Sequence, residues 1–344
     1  MATRGLDVLS VRGVRVGNAT APDGRTGVTV ALFDEGVPTV ADVRGGASGT
    51  YDTASLSLDA TFGRRWAIFF AGGSLFGLDA ARGIRTRLLE EGRGVRPFGN
   101  RRRLVPLSGA VIFDLPSDER PLPDYSVLGY EAVASAGRTG LLQGRVGAGA
   151  GATVGKYLGR SAGMPGGLGS AARRLGNGCS VGVLAVVNAA GAVRDPGSAR
   201  WVAAARGRQG RLVPPTELPT RPLGGRGTTL ALTVTDLPLS RPQLARVAAI
   251  VHAGISRAVV PYATAVDGDC VFAAATASEP KARPEARPGA DADLVGRLAA
   301  DAAVDAVLHA VGPAARSGAR SPGGRRRASR GVAISPQRRV PDEK

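Results

Sequence analysis

Short Val-rich runs broken by glycine or aspartate recur along this chain, and helices do not fall regularly between them. VLSVRGVRVG, TGVTVALF and TVADVRGG come first, then RRWAIFFAGG, GAVIFDLP, SVGVLAVVNAAGAV, TTLALTVTD and DGDCVFAAATA. Their Val, Ile, Thr and Phe content suits a pleated strand. Helical spacing is confined to a few stretches. The run from Ser74, read as an N-cap, to Gly92 carries Leu75, Leu78, Ala81 and Leu88 on one side. A short helix is expected around Tyr130 in GYEAVASAG, and another behind Ser240, with Leu244, Val247, Val251 and Ile255 in register until Pro261. A last helix carries Leu294, Leu298, Val307, Leu308 and Val311. Strict alternation would build a doubly wound parallel sheet; this irregular mixture points to an α+β fold with sheets layered between helices.

Composition narrows the class further. With 344 residues and 43% hydrophobic content the chain can bury a substantial core. No domain boundary shows before residue 312, so 1–311 is expected to fold as one domain. The remaining stretch, 312–344, holds eight Arg and one Lys against two acids, or +7 of the total +17. Its Pro/Gly/Ser/Arg composition predicts a disordered basic tail. Only one short basic cluster occurs there, so a solvated tail is expected rather than a nucleic-acid arm. Cys179 and Cys270 are isolated, which argues against a zinc site or a disulfide framework. MATRGLDVLSVRG lacks an apolar signal core, and no apolar run reaches the ~20 residues of a membrane span, so a cytoplasmic protein is expected.

The chemistry must be assembled without a conventional base. Both histidines, His252 and His309, fall in helix-like stretches, which leaves no evident Ser/His/Asp relay. GAGATVGKY departs twice from a phosphate loop: Ala150 stands at the first glycine position and Tyr157 at the magnesium-binding hydroxyl. Lys156 is nevertheless notable. Of 45 basic residues only Lys156, Lys281 and Lys344 are lysines, and Lys156 alone lies in the expected folded body. Unlike Arg, a lysine offers a proton that its surroundings can tune. Asp267 and Asp269 sit two apart before a strand, so their carboxylates can share one side; no further oxygen ligands follow to make a calcium loop. Asn188 ends an apolar run.

GRGTTLALTVTD, residues 225–236, places Thr228 and Thr229 at the mouth of a strand behind a glycine-rich turn. A cut between Gly227 and Thr228 would give Thr228 both a hydroxyl and a free α-amine with a reference pKa of about 7.7–8. That amine is the missing base, supplied by the nucleophile's own backbone. The two carboxylates could orient its protonated form, and the Asn188 amide could donate to an oxyanion.

At these residues the sequence resembles the L-aminopeptidase/D-esterase family, which includes β-aminopeptidases and a nylon-oligomer hydrolase. RVGNAT, DVRGGASGT, AGGSLFGLDAARG, VGAGAGATVGK, GGLGSA, VGVLAVVNAAG, GTTLALTVTD and DGDCVFAAAT occur in the family's order. The resemblance implies an αββα four-layer sandwich of the N-terminal-nucleophile type, activated by autoproteolysis into 1–227 and 228–344. It implies Thr228 as nucleophile, Asp267 and Asp269 as acidic pair, Asn188 as oxyanion donor, Lys156 as site lysine and Tyr130 as a further site residue. It also implies oligomers of cleaved protomers acting on short peptides, amides or esters, with no metal or organic cofactor. Gly227 precedes the nucleophile where some relatives have Asn, and Cys270 stands where relatives often carry Thr. The alternative function is a catalytically silent binding protein whose Arg-rich tail contacts nucleic acid.

Overall fold

The computed structural model describes residues 5–176, 178–218, 225–277 and 290–312. The basic tail from 313 onward and residues 278–289 lie outside these residues. Nine strands form one connected path: β1 (Val14–Thr20), β2 (Gly27–Val43), β3 (Thr50–Tyr51), β4 (Arg64–Ala71), β5 (Leu107–Val111), β6 (Gly167–Arg174), β7 (Ser180–Asn188), β8 (Thr228–Thr235) and β9 (Cys270–Ala275). Their order is β3-β5-β4-β2-β9-β8-β7-β6, with β1 on β2. The long helices are α1 (Ala80–Glu90), α2 (Tyr125–Ala134), α3 (Arg241–Ala258) and α4 (Ala290–Val311).

Strand β2 turns this path into two stacked sheets. Its first half, Val28–Leu32, pairs with β4, whereas Thr39–Val43 pairs with β9. Between them the register shifts past Leu32, and Asp34 and Glu35 face solvent. The sequence reading of TGVTVALF and TVADVRGG as separate strands therefore needs correction: one strand bends through its polar middle and serves both sheets.

Alternation along the strands then sorts side chains into three cores. Phe70, Ile68 and Phe33 from one sheet meet Leu230, Leu232 and Phe272 from the other, with the Phe70 and Phe272 rings 6.2 Å apart. Phe69, Leu32 and Val30 turn the opposite way, onto Ile84 and Leu88 of α1 and Leu128 of α2. Ala231, Val183 and Val271 leave the second sheet toward Val247, Val251 and Ile255 of α3 and Val307 of α4. The layers are helix, sheet, sheet, helix, as expected from the sequence. Burial of such a set, at about 25 cal/mol per Å² of apolar surface, is what holds the layers together.

Local details differ from the sequence reading at the start of VLSVRGVRVG, where Val8–Ser10 form a 3-10 turn and the strand begins only at Val14, and at Ser74. Ser74 is not a helix cap: it opens a 3-10 turn over Ser74–Asp79 with φ 52°, and its N–H donates to the Ile112 carbonyl at 2.9 Å. Leu75, expected on the apolar side, is exposed because that turn rotates it off the core. Ser240 does cap α3, in a capping box with Gln243.

Candidate active site

Three neighbouring strand ends bring the hydroxyl, the amide and the carboxylates together. Strand β8 lies between β7, which is antiparallel to it, and β9, which is parallel. In this register Thr228 faces Asn188 across one ladder, and Gly227 bridges to Asp267 across the other. All of Thr228, Asn188, Lys156, Asp267 and Asp269 are buried.

The Gly227 carbonyl, which precedes the Thr228 nitrogen, is held from two sides. Thr228 Oγ1 donates to the Gly227 oxygen at 2.6 Å, and the Gly268 N–H donates to the same oxygen at 3.0 Å. The hydroxyl is thus beside the carbonyl that it would attack. An N–H already on that oxygen is placed to receive negative charge developing there. Both glycines are required sterically. A Cβ on Gly227 would overlap the Ala190 nitrogen, and one on Gly268 would stand 2.8 Å from Thr228 Oγ1. The role of Gly268 depends on a parallel bridge between segments 40 residues apart in sequence, Gly227 and Asp267, which no local motif announces.

The acidic flank is cradled by the loop before it. Asp269 accepts from the Thr229 N–H through Oδ1 and from the Ala263 N–H, at 2.8 Å, through Oδ2. Asp267 Oδ2 accepts from the Thr264 N–H at 3.1 Å and its hydroxyl at 2.6 Å, whereas buried Oδ1 has no partner among the described residues. Burial, reinforced by the charge of Asp267, pushes Asp269 up to about 7. The loop is itself anchored from α3. His252 shares a 2.6 Å hydrogen bond between Nδ1 and the Tyr262 hydroxyl, and its Nε2 lies 3.0 Å from the Asp42 carbonyl. Since a carbonyl only accepts, Nε2 carries the proton and Nδ1 accepts from Tyr262. These residues carry no motif, and only the fold reveals them as supports.

The opposite flank is built from side chains. Lys156 Nζ donates to the Asn188 carbonyl at 2.8 Å and to Asn188 Oδ1 at 2.9 Å; the Thr153 N–H adds a third bond to Oδ1 at 3.0 Å. Asn188 Nδ2 donates to the Phe113 carbonyl at 3.1 Å. Burial, then the nearby Arg160 charge, lowers Lys156 to about 7 against the opposing pull of Asp267 and Asp114. A crevice of about 490 Å³ opens beside Thr228, walled by Leu75, Val111, Ile112, Phe113 and Val266 with Ser48, Ser74 and Arg226.

Tyr130 is not part of this assembly. Its hydroxyl donates to Glu90 Oε2 at 2.7 Å and accepts from Arg87 at 3.1 Å, on the outer face where α2 meets α1. The match through GYEA fails because α2 packs Leu128, Ala132 and Val133 against the sheet, which turns Tyr130 toward α1. Among the described residues no cluster of His, Cys, Asp or Glu could hold a metal, and no helix is long and apolar enough to cross a membrane.

A four-layer αββα body with a hydroxyl residue at the head of a central strand has the Ntn hydrolase fold. Structural similarity agrees on the fold. The L-aminopeptidase D-Ala-esterase/amidase of Ochrobactrum anthropi, described as a variant of the Ntn hydrolase fold, superposes with a TM-score of 0.64 over 90% of this chain and 87% of its own, at 20% identity. A Burkholderia β-aminopeptidase gives 0.62 over 89% and 86%, at 22% identity. In sequence, residues 7–322 match the model for peptidase family S58, and the chain belongs to that family. An uncharacterized aminopeptidase of Mycobacterium tuberculosis is 38% identical over 291 residues, spanning 78% of this chain and 81% of that protein. A 6-aminohexanoate-oligomer endohydrolase of Kocuria is 33% identical over 275 residues, covering 77% and 73%.

Proposed function

We propose that this S58 peptidase is made as a precursor that cuts itself between Gly227 and Thr228, and then acts as an aminopeptidase or amidase on short peptides, amides or esters. The observation that carries the reading is the Thr228 hydroxyl seated on the Gly227 carbonyl, with the Gly268 N–H on the same oxygen. In the first step Thr228 Oγ attacks the Gly227 carbonyl carbon. The C–N bond breaks, the hydroxyl proton goes to the departing Thr228 nitrogen, and an ester links the two parts. Water hydrolyses that ester, leaving a Gly227 carboxylate, a restored hydroxyl and a free Thr228 amine.

In turnover the new amine takes the hydroxyl proton as Oγ attacks the substrate carbonyl. The amine or alcohol leaves with a proton, and water releases the acyl group. Asp267 Oδ1, buried without a partner, is a natural counter-ion for the Thr228 ammonium. Gly268 N–H and the Asn188 amide would share the oxyanion. The proposal includes no metal or cofactor and takes the enzyme to be a cytoplasmic homo-oligomer of cleaved protomers.

Denaturing electrophoresis of freshly made protein tests it. Two fragments from wild type and one intact chain from Thr228→Ala are expected. A wild-type chain that hydrolyses aminoacyl amides while remaining whole would refute self-activation.

A further inference from the structure

The stretch just before Thr228 marks the acyl side of the site. Gly227 carries the carbonyl beside Thr228 Oγ1, so Gly225 and Arg226 run along the direction that the acyl part of a substrate takes. A second cavity, of about 470 Å³, flanks this stretch and shares Phe113 and Arg226 with the Thr228 crevice. Its wall holds Lys156, Arg160 and Arg226 with Gly159 and Gly225, and no carboxylate among the described residues. Asp114 and Asp267 are the acids felt at Lys156, and burial and Arg160 outweigh both.

Arg160 is exposed, stands between this cavity and the one that holds Asp114, and is oriented by two contacts. Its guanidinium lies 5.9 Å over the Phe113 ring and donates to the Leu115 carbonyl. Arg226 belongs to the end that a cut frees, and Lys156 is already engaged by Asn188, which leaves Arg160 to meet a new partner. A planar guanidinium held this way favours a carboxylate partner through paired N–H donors.

We infer that the acyl subsite selects an acidic first residue, an aspartyl or glutamyl group whose extra carboxylate seats on Arg160. This rests on the self-cleaving hydrolase reading for its direction of binding. An acyl residue with an uncharged side chain brings only its α-ammonium to this cationic wall and leaves it unmatched.

Glutamyl and glutaminyl p-nitroanilides form a nearly isosteric pair that isolates the charge. Wild type is expected to favour the glutamyl substrate by roughly 10- to 100-fold in kcat/KM, the range of one charge-assisted hydrogen-bonding contact. Most of that preference should lie in KM, and Arg160→Gln should bring the ratio toward one. A wild-type ratio at or below one, or a ratio untouched by Arg160→Gln, overturns the inference. Calorimetric titration of L-glutamate and L-glutamine into the full chain separates it from the parent reading. Glutamate binding that Arg160→Gln abolishes, in a chain that neither cuts itself nor hydrolyses anilides, sustains the acidic subsite and removes the self-activating hydrolase. A self-cleaving, active chain that binds and hydrolyses both forms equally does the reverse.

Discussion

The two flanks of Thr228 are built on different principles. On the β9 side, two carboxylates receive main-chain N–H groups from Thr229, Ala263 and Thr264, and the supporting loop is pinned by His252 through Tyr262. On the β7 side, one ammonium grips one asparagine by two bonds, and the amide reaches Phe113 from a third segment. The acidic flank is a cradle made mostly of main-chain donors, which most side chains could preserve; the amide flank hinges on the Lys156–Asn188 pair, which only those two side chains can make. The charges differ in the same way. Asp269 is kept near neutrality by burial beside Asp267, while Lys156 is brought near neutrality by burial beside Arg160.

Replacing the residue between the flanks has the largest expected effect. Thr228→Ala should abolish the cut entirely on a denaturing gel over days, whereas Thr228→Ser, which keeps a primary hydroxyl, should still cut. Lys156→Met comes next: it takes the Lys156 donor from the buried Asn188 carbonyl and leaves Asn188 Oδ1 with the Thr153 N–H alone, an expected loss of about 1–3 kcal/mol by denaturant titration. Lys156→Arg should not rescue it, because a guanidinium is larger and stays charged. If Lys156→Met proves harmless and Asp269→Asn severe, the assignment of local robustness to the acidic flank is wrong.

The flanks should also oppose one another in pH. The folded carboxyl of Asp269 holds a proton that the unfolded chain has lost, so stability falls as pH rises from about 4 to about 7. Asp269→Asn should flatten that fall. The folded Lys156 has shed a proton that the unfolded chain keeps, so stability rises from about pH 7 to about 10, and Lys156→Met should lack the rise. Urea titrations across pH 4–10 on the uncut Thr228→Ala background would show both slopes. The smallest effect is expected from Tyr262→Phe, which removes one hydrogen bond to His252, worth about 1 kcal/mol, and slightly loosens the acidic cradle. Self-cleavage in that variant should be slowed less than in Lys156→Met.

What could be read from the sequence follows the same division between local and distant. Strand runs such as TTLALTVTD and the capped helix behind Ser240 are local patterns, and the fold contains them. That Thr228, Asn188, Lys156 and the two aspartates belong together followed from residue type and family resemblance, and the strand order places them at adjoining ends. Tyr130 was misassigned because a four-residue match says nothing about which side of a helix meets the sheet. His252, Tyr262 and Gly268 were invisible as site residues, since their roles arise from contacts across α3, a loop and a parallel bridge. The bend in β2 was missed because two Val-rich halves around Asp34 and Glu35 read alike as two strands or one.

The position of residue 228 in the sheet order has a mechanical consequence. A nick there would fall at the head of an interior strand, so the shorter piece would still be stitched on both edges by ladders to the longer one. It would also carry α3 and α4, half the outer cladding of the body. Neither piece would own a complete interior, and a nicked molecule should melt as one unit and should not re-form from separately produced halves.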